Sequence, residues 1–155
     1  MSTELDLGIL PELLGYQLRR AQLGVFQHFA GALSDWNITP GQVGLLVLVS
    51  CNPGISQTAL ARAVGVERST LGEAVDRLIK RRLLVRKPAP RDRRSYALRL
   101  SASGKRFLAD LIPRVFAHED DAAGHLSPEE RKTLISLLRR LADPRREDDS
   151  GSVPV

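Results

Sequence analysis

Cysteine is nearly absent: Cys51 is the only one in 155 residues, so no intrachain disulfide braces the fold. A packed core has to supply the stability, as expected of a chain from a reducing compartment. No apolar run approaches the roughly 18 residues that a membrane span requires. The opening stretch MSTELDLGILPELLG has early acids and no basic leader before its apolar residues. These absences predict a soluble cytoplasmic protein without a membrane partner. Also missing are a paired acid/base constellation, a glycine-rich phosphate loop and a Ser/His/Asp arrangement. No enzymatic activity and no cofactor are therefore expected.

What is present is an uneven charge distribution. The chain carries +5 overall, but residues 67–106 hold 13 basic and 4 acidic side chains, while the segments on either side are net acidic. Charge alone leaves a solvated face and a polyanion-binding surface equally open.

Periodicity divides the chain into helices and one hairpin. Leu10, Leu14, Leu18, Val25, Phe29 and Leu33 recur at helical spacing, predicting a long first helix from Leu10 to about Leu33 with Pro11 in its first turn. Thr39, Pro40 and Gln42 form a capping-box arrangement that opens a second, deeply apolar helix, ended by Asn52-Pro53-Gly54. A short third helix runs from Ser56 or Gln57 to Val64, and a fourth from about Glu67 to Arg82. A strand, turn and strand follow. Residues 101–116 read as a fifth helix capped by Ser101, which either kinks at Pro113 or is shorter than its apolar pattern. Ser127, Pro128 and Glu130 open a sixth helix reaching residue 142. The polar tail 143–155 is expected to be disordered.

The segment 57-QTALARAVGVERSTLGEAVDRLIKRRLL-84 reads as helix, tight turn, helix. Leu60, Val64, Val66 and Leu71 supply the packing positions, Ala61 allows close approach, and Gly65 suits a turn of positive φ. Leu71, Val75, Leu78 and Ile79 form the buried stripe of the fourth helix, leaving Ser69, Thr70, Glu73 and Arg77 on the opposite face. Such residues read base edges and phosphates. Arg68 flanks them, and Gln57 and Thr58 open the preceding helix. Arg62, Lys80, Arg81 and Arg82 read as solvated charges more than as phosphate contacts. In the hairpin, Pro88 and Pro90 discourage continued pairing and favour an extended tip carrying Arg91, Asp92, Arg93 and Arg94. Asp92 is expected to pair with a neighbouring arginine and aim Arg93 or Arg94 into the minor groove.

Thr39-Pro40-Gly41-Gln42, the helix pair 56–84, Asp92-Arg93-Arg94 and Ser101-Ala102-Ser103-Gly104 occur in an order that resembles the MarR/SlyA-type winged-helix transcription regulators. The likeness covers about residues 10–142. The sequence departs from the family pattern at Ser101, where threonine is commoner, and at Arg82, where glycine is usual. The resemblance implies a mostly α fold with a small β-hairpin wing, a winged helix-turn-helix over 37–100, and dimerisation helices in 1–36 and 101–142. It also implies a homodimer that binds double-stranded DNA at a pseudo-palindrome and acts as a ligand-responsive repressor. The alternative is an architectural winged helix that binds DNA without sequence preference and without a ligand. Leu5, Leu7, Ile9 and Leu10 at one end, and Leu134, Leu137, Leu138 and Leu141 at the other, fit either dimer arms or intramolecular packing.

Regulators of this kind often take a small aromatic anion between arms and reading head. Tyr16, Arg19, Arg20, Phe26, His28 and Trp36 are the candidates for a carboxylate clamp and aromatic wall, for an aromatic acid or its coenzyme A thioester. A packing role for the same side chains is equally compatible with the sequence. Cys51 is expected to be a packed, inert thiol. His118 and His125, near Glu119, Asp120 and Asp121, read as a solvated acidic helix end and not as a metal site.

Overall fold

The computed structural model describes residues 5–89 and 92–143, which fall into two compact units, one ending at His118 and one beginning at Glu119. The first unit opens with a 3-10 turn, Leu10–Glu12, followed by α1, Leu14–Ala32. Leu13, between them, is extended. Pro11 thus belongs to the 3-10 turn, and the long first helix expected from Leu10 begins four residues later. The apolar spacing continued across the break because 3-10 and α turns place residues three apart on nearly the same side.

Next come α2, Pro40–Cys51, a two-residue strand β1, Ile55–Ser56, then α3, Gln57–Val64, and α4, Arg68–Lys80. The Thr39–Gln42 capping box forms in both directions, and Ser56 caps α3 by accepting from the Ala59 N–H. Gly65 ends α3 at φ 70° while the Val66 N–H reaches back to the Ala61 carbonyl, a Schellman ending. Leu60, Ala61 and Leu71 are buried in the corner between the helices. Val64 and Val66, expected to pack there, are exposed: they flank Gly65, whose left-handed turn ends α3 and carries both side chains out of the corner.

The wing is β2, Leu84–Ala89, and β3, Asp92–Leu100. It is more than the expected hairpin: β1 pairs with the other edge of β3, giving an antiparallel sheet of order β1-β3-β2. Two residues carry no readable period, so β1 left no signal of its own in the sequence. Pairing also outlasts Pro88, which sits opposite Tyr96, and Ala89 meets Asp92. Pairing therefore continues beyond Pro88 with its register displaced, and residues 93–95 are left without a partner on β2.

Helix α4 ends at Lys80, two residues before the expected Arg82. The Arg82 N–H bonds to Ile79 and the Leu83 N–H to Leu78, with Arg82 left-handed at φ 59°. This is a Schellman ending with arginine where glycine is relaxed. Left-handed backbone costs a branched-at-Cα residue about 1–2 kcal/mol, and glycine returns about 0.4–1 kcal/mol of that through its freer unfolded state. Arg82→Gly is therefore expected to stabilise the chain by roughly 0.5–1 kcal/mol in thermal melts. A lower melting temperature would contradict it.

Helix α5, Ala102–Ala122, runs through Pro113 for 21 residues, longer than either expected alternative. Burial of Leu108 and Leu111 before the proline, and of His118 after it, holds the helix across the missing hydrogen bond. Ser101 caps it, accepting from the Gly104 N–H at 2.8 Å. The core of this unit joins Phe29 of α1 and Leu33 at its C-cap to Val43, Leu46 and Val49 of α2, Leu60, Leu71, Val75, Leu78, Leu98 and Leu111.

In the second unit, α6, Pro128–Ala142, begins with a full Ser127–Glu130 capping box. Arg131 is paired with Asp120 and Glu119. The expected tail lies outside the described residues from position 144 onward.

Candidate nucleic-acid interface

Helix α4 is positioned by its own buried stripe, Leu71, Val75 and Leu78, each at most 2% exposed. The same periodicity turns Ser69, Thr70, Glu73 and Arg77 outward, and all four are exposed together with Arg68 and Thr58. Arg77 and Glu73 approach to 3.9 Å, with both side chains more than two-thirds exposed. That contact is easily exchanged for another partner. A helix N-terminus bearing hydroxyls, with a guanidinium two turns on, offers donors to phosphate and to the major-groove edge of a base.

Gln57 behaves differently from the other candidates. It is half-buried, its Nε2 lies 3.1 Å from where a Cβ on Gly72 would stand, and its Oε1 accepts from Arg86 at 3.4 Å. Arg86 in turn binds Asp76 at 2.7 Å. Together Gln57, Asp76 and Arg86 tie α3, α4 and β2 to one another. Neither Asp76 nor Arg86 stood out in the sequence, because they are brought together across ten residues by the sheet and not by a local motif. On the wing, the backbone of Asp92, Arg93 and Arg94 belongs to β3, with residues 93 and 94 in the unpaired stretch. Arg91 and the side chains of these three lie outside the described residues.

The MarR-family model matches residues 36–95. In Thauera aromatica the "Putative transcriptional regulatory protein for hcr operon" is 40% identical over 139 residues, covering 89% of this chain and 84% of that protein. The chain belongs to the MarR family. Among solved structures, the transcriptional repressor CouR bound to a 23-mer DNA duplex is similar at a TM-score of 0.86 with 40% identity, over 90% of this chain and 99% of that one. CouR bound to p-coumaroyl-CoA is similar at 0.84 with 37% identity, over 90% and 99%. This MarR-family chain is thus a transcriptional regulator by kinship, and its relatives are regulators and not enzymes.

The candidate effector residues of this MarR-type regulator are only partly brought together. Arg20 lies over the Tyr16 ring at 5.8 Å, and Arg19 reaches Gln22 at 3.4 Å. Phe26 is 47% exposed and, at seven residues from Arg19, shares its side of α1. His28 departs from the group. Nine residues from Arg19, it projects roughly 180° away, and its Nδ1 stands 2.8 Å from the Nδ1 of His118 with the rings stacked. Trp36 meets Phe107 edge-on at 5.3 Å.

Three other expectations are corrected here. His118 is buried, at 2% exposure, against Phe29 and His28, and is not on a solvated helix end. Cys51 closes α2 and is exposed, not packed. Arg81, expected to be a solvated charge, donates to the carbonyls of Trp36 and Asn37 and lies over Phe107. No cluster of three or more metal-ligating side chains occurs among the described residues. No described helix is long and apolar enough to cross a membrane.

Proposed function

We propose that the chain is a cytoplasmic, dimeric repressor that reads a pseudo-palindromic operator through α4 and the wing and is released by a small aromatic acid or its coenzyme A thioester. The observation that carries the reading is the outward face of α4: Ser69, Thr70, Glu73 and Arg77 stand exposed on a helix whose other face is fully buried. Arg68, Thr58 and the wing residues Arg91, Asp92, Arg93 and Arg94 complete the contact set, and Gln57 positions it. Residues 37–100 form the reading head in this scheme, and 1–36 with 101–142 the dimer arms.

Dimerisation is supported by the apolar side chains that this single chain leaves uncovered. Leu5, Ile9, Leu14, Leu134, Leu137 and Leu141 are each 44–84% exposed. On α6, Leu134, Leu137 and Leu141 recur at i, i+3 and i+7 and so form one exposed apolar stripe, the kind of surface a partner covers. The effector class is supported by the Tyr16, Arg19, Arg20 and Phe26 face of α1 and by CouR's complex with p-coumaroyl-CoA.

The test is selection of duplexes from a random library, followed by titration of the selected site against bulk DNA across a salt series. A specific regulator holds a large affinity ratio, of the order of 10³ or more, at physiological salt. A steep salt slope with no ratio would instead identify an architectural DNA binder. For the pocket, Arg19→Ala is expected to keep operator affinity while losing release by p-coumaroyl-CoA and by benzoate. A variant that responds to both as wild type does removes Arg19 from the clamp.

A further inference from the structure

Immediately beyond the last turn of α4, Arg81 carries the fork-shaped guanidinium that only arginine has. Its Nη1 donates to the Asn37 carbonyl and its Nη2 to the Trp36 carbonyl at 3.0 Å. The guanidinium also sits over the Phe107 ring, 5.3 Å from its centroid. Phe107 belongs to α5, and its ring is the one that meets Trp36 edge-on. Trp36 and Asn37 lie in the short connector between α1 and α2, where Asn37 is left-handed at φ 46°. One side chain at the end of α4 therefore satisfies two successive carbonyls of the arm connector and stacks on the next arm helix.

We propose that Arg81 is the positioning residue that couples the Trp36–Asn37 connector to the recognition helix. The proposal rests on the reading of α4 as the DNA-contacting helix. A 13-residue helix is a stiff rod about 20 Å long. A tilt of about 3° at its Arg81 end moves its first turn, where Ser69 and Thr70 stand, by about 1 Å. That displacement is enough to spoil hydrogen bonds to base edges. Conversely, seating α4 in a groove pulls on the connector through the same two carbonyl bonds. Phe107 gives the guanidinium a flat surface that restricts it to the plane facing the connector. Neither the exposed charges of Lys80 nor those of Arg82 make such a connection.

Trp36 is the only tryptophan, so the connector carries its own reporter. The experiment measures Trp36 emission in the full chain while a duplex selected by the wild-type protein is added, with a shuffled duplex of equal length as control. Wild type is expected to change its emission with the selected duplex and not with the shuffled one. Arg81→Met keeps the apolar stem over Phe107 and removes the donors. It is expected to stay folded by circular dichroism, bind the selected duplex about tenfold more weakly, as two charge-assisted bonds allow, and lose the emission change at saturation. Arg81→Lys, with one carbonyl still in reach, is expected to regain part of both.

If Arg81→Met gives the wild-type emission change at saturation, or if wild type binds the selected duplex with Trp36 silent, the coupling is overturned while the DNA-binding reading stands. If the wild-type chain selects no duplex at all, the reading of α4 falls, and the coupling with it. A structural role alone would lower the melting temperature of Arg81→Met while leaving its emission change with the selected duplex intact at saturation, and that result too overturns the proposal.

Discussion

Replacing Gly104 with alanine is expected to cost about 3 kcal/mol or more, because the new Cβ would be forced into the Leu83 backbone. It would lie 2.9 Å from the Leu83 carbonyl carbon and 3.2 Å from its Cα, and closer still to the carbonyl oxygen. Backbone cannot swing aside as a long side chain can. The same carbonyl accepts the Ser101 N–H at 3.0 Å, and the Leu83 N–H completes the α4 ending. Relieving the overlap therefore means lifting α5 away from the junction between α4 and the wing. At roughly 2–4 °C per kcal/mol for a chain of this size, a fall of roughly 10 °C in melting temperature follows, measured at one protein concentration for both forms. A Gly104→Ala variant melting within about 2 °C of wild type would mean that α5 does not approach Leu83 this closely. DNA affinity is expected to fall with stability, since both α4 and β2 begin or end at this junction.

Arg77→Ala is expected to have the largest effect on operator binding among the exposed residues of α4. A single arginine contact to phosphate or guanine contributes about 1–3 kcal/mol. A dimer presents two copies, so the loss is about 2–6 kcal/mol, or roughly thirtyfold to beyond 10⁴-fold in affinity. The salt series tells which contact was lost. A phosphate contact lowers affinity for all sequences and flattens the salt slope by about one per protomer, whereas a guanine contact leaves the slope and relaxes discrimination at one base pair. Wild-type affinity for the selected duplex in Arg77→Ala would remove this face of α4 from the interface. Stability should hardly change, because the pairing of Arg77 with Glu73 is a solvent-exposed contact.

These two substitutions lie at opposite ends of what could be read in advance. Arg77 was legible because an amphipathic helix assigns faces by period alone: once Leu71, Val75 and Leu78 are inward, Arg77 has to be outward. Gly104 was visible only as part of a family-like Ser-Ala-Ser-Gly start, with no reason attached. The reason is a close approach to Leu83, more than twenty residues earlier in the chain, and no local pattern encodes it.

The same division runs through the whole molecule. The linear chain by itself determined the helix starts at Thr39, Ser56 and Ser127, the left-handed turn at Gly65, the outward face of α4 and the strands of the wing, because caps, turns and periodicities are interactions among residues a few positions apart. Only tertiary structure decided that β1 would join the sheet, that pairing would pass Pro88, that His118 would be buried against His28 and Phe29, and that α5 would run on through Pro113. It also took Arg81 out of the basic surface and fastened it to Trp36 and Asn37. In each of these the decisive neighbour lies on a different element, and burial or a carbonyl left without a partner outweighs the preference of the local sequence.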